Sequence, residues 1–197
     1  AVQSSPHATA TASVTRVMGE VLLAMVPGVI ALWWYFGWGV LVNIAIATIA
    51  AVGFEALAVR LRGRPVKPAI GDLSAVVTAC LFAVSVPPTL PWWLTVLGMG
   101  FAIIIVKQLY GGLGYNPFNP AMAAYVFLLV SFPLAMTTWL PPLMLAEHTL
   151  SLGETLEVIF LGVPPAGLAW DAVTMATPLD VMREKLSANQ MISEIRQ

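Results

Sequence analysis

A chain of 197 residues with 59% hydrophobic and only 10% charged residues, and a mean hydropathy of +0.86, lacks the composition of a soluble globular domain, where about 25% of residues are charged. Its net charge of -1 predicts no attraction to nucleic acid. Its apolar stretches approach the ~20 residues needed to cross a bilayer core, and they predict an all-α polytopic membrane helix bundle of about five spans, some broken or re-entrant, in contact with lipid.

The first predicted span runs from about Met18 to Phe36 and ends in Trp33-Trp34-Tyr35-Phe36, an interfacial aromatic belt. Pro27-Gly28 in its middle predicts a kink or local break. A tight turn at Gly37-Trp38-Gly39 leads into a second span, about Val40 to Val59. The following segment, Arg60 to Lys67, carries four cations in eight residues. The positive-inside rule places it in the cytoplasm, and the N-terminus with it. A third apolar stretch, Leu73 to Val86, is short for a crossing and ends at Pro87-Pro88, so it reads as a tilted helix or a half-helix packed inside protein.

The fourth stretch, about Pro91 to Val106, starts at Trp92-Trp93 and finishes at Lys107 on the inner side. A loop with three glycines and two prolines, Gly111 to Pro120, precedes the fifth span, about Ala121 to Met136. Five crossings from an inside N-terminus leave everything after Thr137 outside. From Thr137 onward there are seven acidic and three basic residues, against three acidic and six basic before it. The Lys and Arg positions carry the weight of that asymmetry. The chain divides accordingly into a cytoplasmic segment at 1–17, a transmembrane bundle at 18–136 and an extracytoplasmic segment at 137–197. A helix is predicted near Leu152–Phe160, and an amphipathic end from Leu179 to Gln197.

Few residues in such a chain carry chemistry. Cys80 sits in an apolar run and reads as a small buried hydrophobe. Asp72 is placed to cap the third helix, with an ion-pathway carboxylate as the alternative. Glu20 and Glu55 lie near the inner ends of their spans, solvated or paired. His7 and His148 are far apart in polar segments and do not form a metal pair. The Gly111–Pro120 loop reads as a connector between close-packed helices, as an anion-binding nest, or as broken-helix backbone lining a pocket. Within it, Asn116 and Asn119 are the candidate polar, cofactor-binding residues.

The longest polar stretch contains Asp171-Ala172-Val173-Thr174-Met175-Ala176-Thr177. It resembles the sequence at which a flavin transferase joins FMN to a threonine hydroxyl through a phosphoester: Asp, a small residue, any residue, Ser or Thr, any residue, Ala, and the acceptor Thr. Other segments extend the resemblance: Val21 to Gly28, Asp72-Leu73-Ser74-Ala75, Pro87-Pro88 with Pro91-Trp92-Trp93-Leu94, Lys107-Gln108-Leu109, and Asn116-Pro117-Phe118-Asn119-Pro120. Together and in this order they resemble the RnfD family, a membrane component of the Rnf ion-translocating ferredoxin:NAD oxidoreductase. The related NqrB component of the sodium-translocating NADH:quinone reductase is a more distant match. Members of that family continue past the flavin-bearing segment into further helices, whereas this sequence ends twenty residues after Thr177. The resemblance therefore covers an N-terminal portion.

The resemblance implies covalent FMN on Thr177, with Asp171, Thr174 and Ala176 read by the flavin transferase, and no catalytic cycle in the chain alone. It implies a bacterial cytoplasmic (inner) membrane location and partnership with other membrane and peripheral subunits. The expected role is electron transfer coupled to sodium or proton movement, with room for a second, noncovalent flavin among the helices. The rival expectation is one repeat of a channel or small-solute transporter without a redox role. Nothing in such a transporter calls for the Asp171–Thr177 pattern.

Overall fold

A computed structural model describes residues 13–146 and 148–164. Among them every regular element is helical. The Thr177 motif, His7 and the predicted amphipathic end lie outside the described residues.

Helix α1 (Val14–Phe36) starts at Ser13, whose hydroxyl accepts the Arg16 N–H at 3.2 Å. It ends at Gly37, whose φ of 77° turns the chain directly into the next helix. Of the kink or local break expected at Pro27, the break is absent: α1 is continuous through it. A proline removes one N–H from the helical ladder, and a lipid-facing helix absorbs that loss by local adjustment. No residue of α1 is buried, so no neighbour forces the distortion into a break.

Helix α2 (Trp38–Leu61) is the axis of the bundle and packs against most of the other helices. From Asn43 its buried residues recur at every fourth position: Asn43, Ala47, Ala51, Glu55 and Val59. Two alanines on that stripe let neighbouring backbones approach closely, the usual basis of helix association in lipid. The closest approach is at Gly39, where an added Cβ would lie 2.3 Å from the Pro88 carbonyl oxygen.

The basic segment holds a short helix that the sequence did not announce, α3 (Val66–Gly71). Helix α4 (Ser74–Ala83) follows and is mostly buried, with Ala75, Ala79, Phe82 and Ala83 in the main apolar core. Its start lies beside Glu55 and its continuation to Pro88 reaches Gly39. A short helix plus a proline-rich extension therefore runs alongside α2 from one end to the other. The short third stretch is thus a protein-packed segment that still links both ends of the bundle. At its far end, Asn43 donates to the carbonyls of Pro87 and Pro88 at 3.0 and 3.1 Å and accepts from Thr95 at 3.4 Å. Those carbonyls have left the helical ladder; one buried amide donates to both, and the Leu90 N–H also donates to the Pro87 carbonyl at 3.0 Å.

Helix α5 (Trp92–Gly100) continues without interruption into a π-helical segment, Phe101–Gln108. The predicted fifth span is divided: α6 (Pro120–Ser131) stops at Phe132, and α7 (Pro133–Thr137) restarts after it. Pro133 explains the break, since a residue before proline is driven out of helical conformation; Phe132 has φ -135° and ψ 58°. Helix α8 (Leu152–Leu161) opens with a capping box in which Ser151 and Glu154 bond reciprocally.

Contacts fix which ends lie together. The Leu143 N–H donates to the Tyr35 carbonyl at 2.7 Å, Phe36 meets Trp139, and Trp92 stacks on Phe160. The α1–α2 turn, the start of α5 and the segment through α8 therefore share one end. The basic segment, the start of α4 and the end of the π segment share the other. The described residues form a polytopic membrane helix bundle.

Candidate functional site

At the basic end an ion pair is buried between α2 and the π segment. The Lys107 ammonium donates to Glu55 Oε2 at 2.8 Å, and both side chains are 2% exposed. Lys107 also donates to Ser74 Oγ at 2.7 Å, and the Ser74 hydroxyl donates in turn to Asp72 Oδ1 at 2.5 Å. On the other side of the carboxylate, Gln108 Nε2 donates to Glu55 Oε1 at 2.5 Å, and Gln108 Oε1 accepts from Arg62 Nη1 at 3.1 Å. Arg62 Nη2 also donates to the Gln108 carbonyl. This chain of partners fixes the orientation of the Gln108 amide. Among the described residues no buried side-chain nitrogen or oxygen lacks a partner.

Local backbone geometry builds this arrangement. The π turn widens the helix, and Lys107 and Gln108 are both buried against Glu55. Ser74 is aimed by the residue before it. Leu73 holds a left-handed conformation, φ 62° and ψ 2°, which costs a non-glycine residue about 1–2 kcal/mol. Asp72 was expected to be the N-cap of this helix, but Leu73 occupies that position. The Asp72 carboxylate still performs the capping bond one residue early, accepting the Ser74 N–H at 2.8 Å. A polar cavity of about 250 Å³ adjoins Glu55, Asp72 and Gln108, with Arg64 and Gly111 to Leu113 on its outer wall.

Burying an ion pair costs several kcal/mol per ion in desolvation, so it is poor evidence for stability. An ionisable pair inside membrane helices is by default evidence for function.

Not every sequence expectation falls on this cluster. Glu20 is exposed and pairs with Arg16 at 2.9 Å on the same helix. Asn116 donates to the Phe118 carbonyl at 2.7 Å in an exposed turn. Asn119 caps α6, accepting the Ala121 N–H at 3.0 Å, and borders an apolar groove of about 630 Å³ beside Tyr110, Phe118 and Met122. The structure does not bring either asparagine to Glu55. In the glycine loop, the amides of Gly111, Gly112 and Tyr115 all bond to nearby carbonyls, so those three do not form an open anion nest. Cys80 is half-buried in α4. His148 contacts Glu154 at 3.1 Å, and among the described residues no three His, Cys, Asp or Glu side chains converge.

Lys107 and Gln108 stood out in the sequence as the inner edge of a span, and with Ser74 as parts of the family resemblance, but none of the three was read as a site residue. The available signal was Glu55, a carboxylate six residues inside the apolar stretch that ends at Leu61. It demands a buried partner or a route to water, and Lys107 is the one lysine lying at the end of another apolar stretch.

Residues 1–196 match the model of the NQR2, RnfD, RnfE family. The chain is similar to the D subunit of the ion-translocating oxidoreductase complex of Aeromonas hydrophila, at 49% identity over 98% of this chain and 57% of that protein. It is similar to the protein of the same name from Escherichia fergusonii, at 46% identity over 100% of this chain and 58% of the relative. The Salmonella heidelberg protein is 47% identical over the same shares. This chain thus spans less than three fifths of the length of these curated relatives. On a family match that runs through residue 196 and on these identities, the chain belongs to the NQR2, RnfD, RnfE family.

Proposed function

We propose that this chain is the flavin-bearing membrane subunit of an ion-translocating oxidoreductase complex in the bacterial inner membrane. Its role is electron transfer through FMN joined to Thr177, in a complex that couples redox exchange between ferredoxin and NAD to sodium or proton movement. The observation that carries the reading is the Asp171–Thr177 pattern in a chain whose relatives are named as subunits of such a complex. FMN supplies the electron chemistry; the chain supplies a hydroxyl to anchor it and helices to position it. A flavin working outside the cytoplasm is lost unless tethered, and a phosphoester to Thr177 retains it. Asp171, Thr174 and Ala176 serve recognition by the transferase. The reading needs Thr177 outside. Support comes from the bundle, in which α8 shares an end with the α1–α2 turn, opposite the basic segment that marks the cytoplasm.

The test is peptide mass mapping of the chain produced with and without a flavin transferase. Thr177→Ala should abolish the FMN-bearing peptide while membrane insertion continues. An FMN-bearing peptide that persists in Thr177→Ala, or FMN found on Thr174 in the unmutated chain, overturns the assignment. A reporter active only outside the cytoplasm, fused after Leu179, should be active; silence there overturns the topology.

A further inference from the structure

We propose that the Lys107 ammonium occupies a binding site for a small monovalent cation and that such a cation, entering from the cytoplasmic side, takes its place. The site is defined by what the ammonium touches: Glu55 Oε2 at 2.8 Å and Ser74 Oγ at 2.7 Å, with Asp72 Oδ1 held 2.5 Å beyond the serine hydroxyl. Carboxylate and hydroxyl oxygens are the ligands a hard cation prefers. Charge selects the valence. Among the described residues Glu55 is the one acid buried to 2% exposure, and Lys107 is its one buried counter-charge. A monovalent ion in the ammonium's place leaves the buried charge as it is, whereas a divalent ion adds a charge that no second fully buried acid among the described residues offsets.

The way in is the polar cavity of about 250 Å³ that Glu55, Asp72 and Gln108 share with the basic loop. A lysine stem is long and flexible enough for its charged head to turn from a buried partner toward such a wet opening. No covalent step is involved. The exchange replaces one cation by another at the same oxygens, and it releases the tie between α2 and the π segment that the ammonium makes. The inference rests on the reading of the chain as an ion-translocating subunit but not on FMN at Thr177.

Lysine acylation in membrane vesicles carrying the assembled complex tests it. Vesicles are treated with acetic anhydride in sodium chloride or in choline chloride at equal ionic strength, and acetylated peptides are quantified by mass. Sodium should raise acetylation of Lys107 several-fold and saturably, with exposed Lys67 as the unchanged internal control. Ser74→Ala, which removes one oxygen ligand but leaves the Glu55–Lys107 pair, should move half-saturation to higher sodium. Equal Lys107 acetylation in the two salts, or a Ser74→Ala curve superimposable on the unmutated one, overturns the proposal. Flavin occupancy, read in the same digests, reports separately on the Thr177 assignment.

Discussion

Lys107→Met isolates the energetics of the buried pair, because methionine keeps much of the lysine stem and removes only the charge. After the change Glu55 retains the Gln108 Nε2 bond at 2.5 Å but loses the ammonium at 2.8 Å, in a place that is 2% exposed. Stranding one member of a buried pair costs about 3–5 kcal/mol in soluble proteins. In a bilayer the unfolded chain also finds partners for its polar groups, which lowers polar contributions toward ~1–2 kcal/mol. A loss of roughly 2–4 kcal/mol lies between those bounds. The Glu55→Met/Lys107→Met double variant should lose less than Lys107→Met alone. It strands no charge, only the Gln108 amide, at about 1–3 kcal/mol. The assay is reversible unfolding in mixed micelles, followed by helical circular dichroism in choline chloride so that sodium does not compensate. A double variant whose loss equals the sum of the single losses would refute the pairing, as would a Lys107→Met loss within ~0.5 kcal/mol, the scale of an ordinary surface change.

Other consequences follow from polar contacts elsewhere in the bundle. Asn43→Ala removes the side-chain donor from the Pro87 and Pro88 carbonyls, of which Pro87 keeps the Leu90 N–H; a loss of about 1–3 kcal/mol is expected in the same unfolding assay, and an unchanged midpoint would show that the proline break braces itself. At α8, two bonds from Ser151, hydroxyl and backbone, and then His148 hold the Glu154 carboxyl down to about 2. A depressed carboxylate stabilises the folded form above its ordinary value of about 4.3, and that contribution is lost as pH falls through the folded value. The capping box should therefore survive at about pH 3, and Ser151→Ala should move the Glu154 titration up toward the ordinary range. Carboxyl NMR checks both; a midpoint near the ordinary value in the unmutated chain would contradict the capping geometry.

The sequence by itself determined the class of the molecule and the order of its helices. Apolar length is a local property, so α1 and α2 were legible to within a few residues, and so was α8, expected near Leu152–Phe160. The positive segment after α2 and the aromatic pairs at Trp33-Trp34 and Trp92-Trp93 set the two ends, because membrane partitioning acts on each segment separately. The tertiary structure decided what local signals do not encode. Pro27 is absorbed where Pro133 divides a span, since the outcome depends on neighbours as well as on the proline ring. Glu55 and Lys107 are 52 residues apart, and no periodicity links them. They meet where α2 packs against the π segment, and Ser74, which follows the left-handed Leu73, joins the same cluster. The flavin attachment proposed at Thr177 is the converse case: it rests on a short string of residues, Asp171 to Thr177, so the sequence carries it without help from the fold.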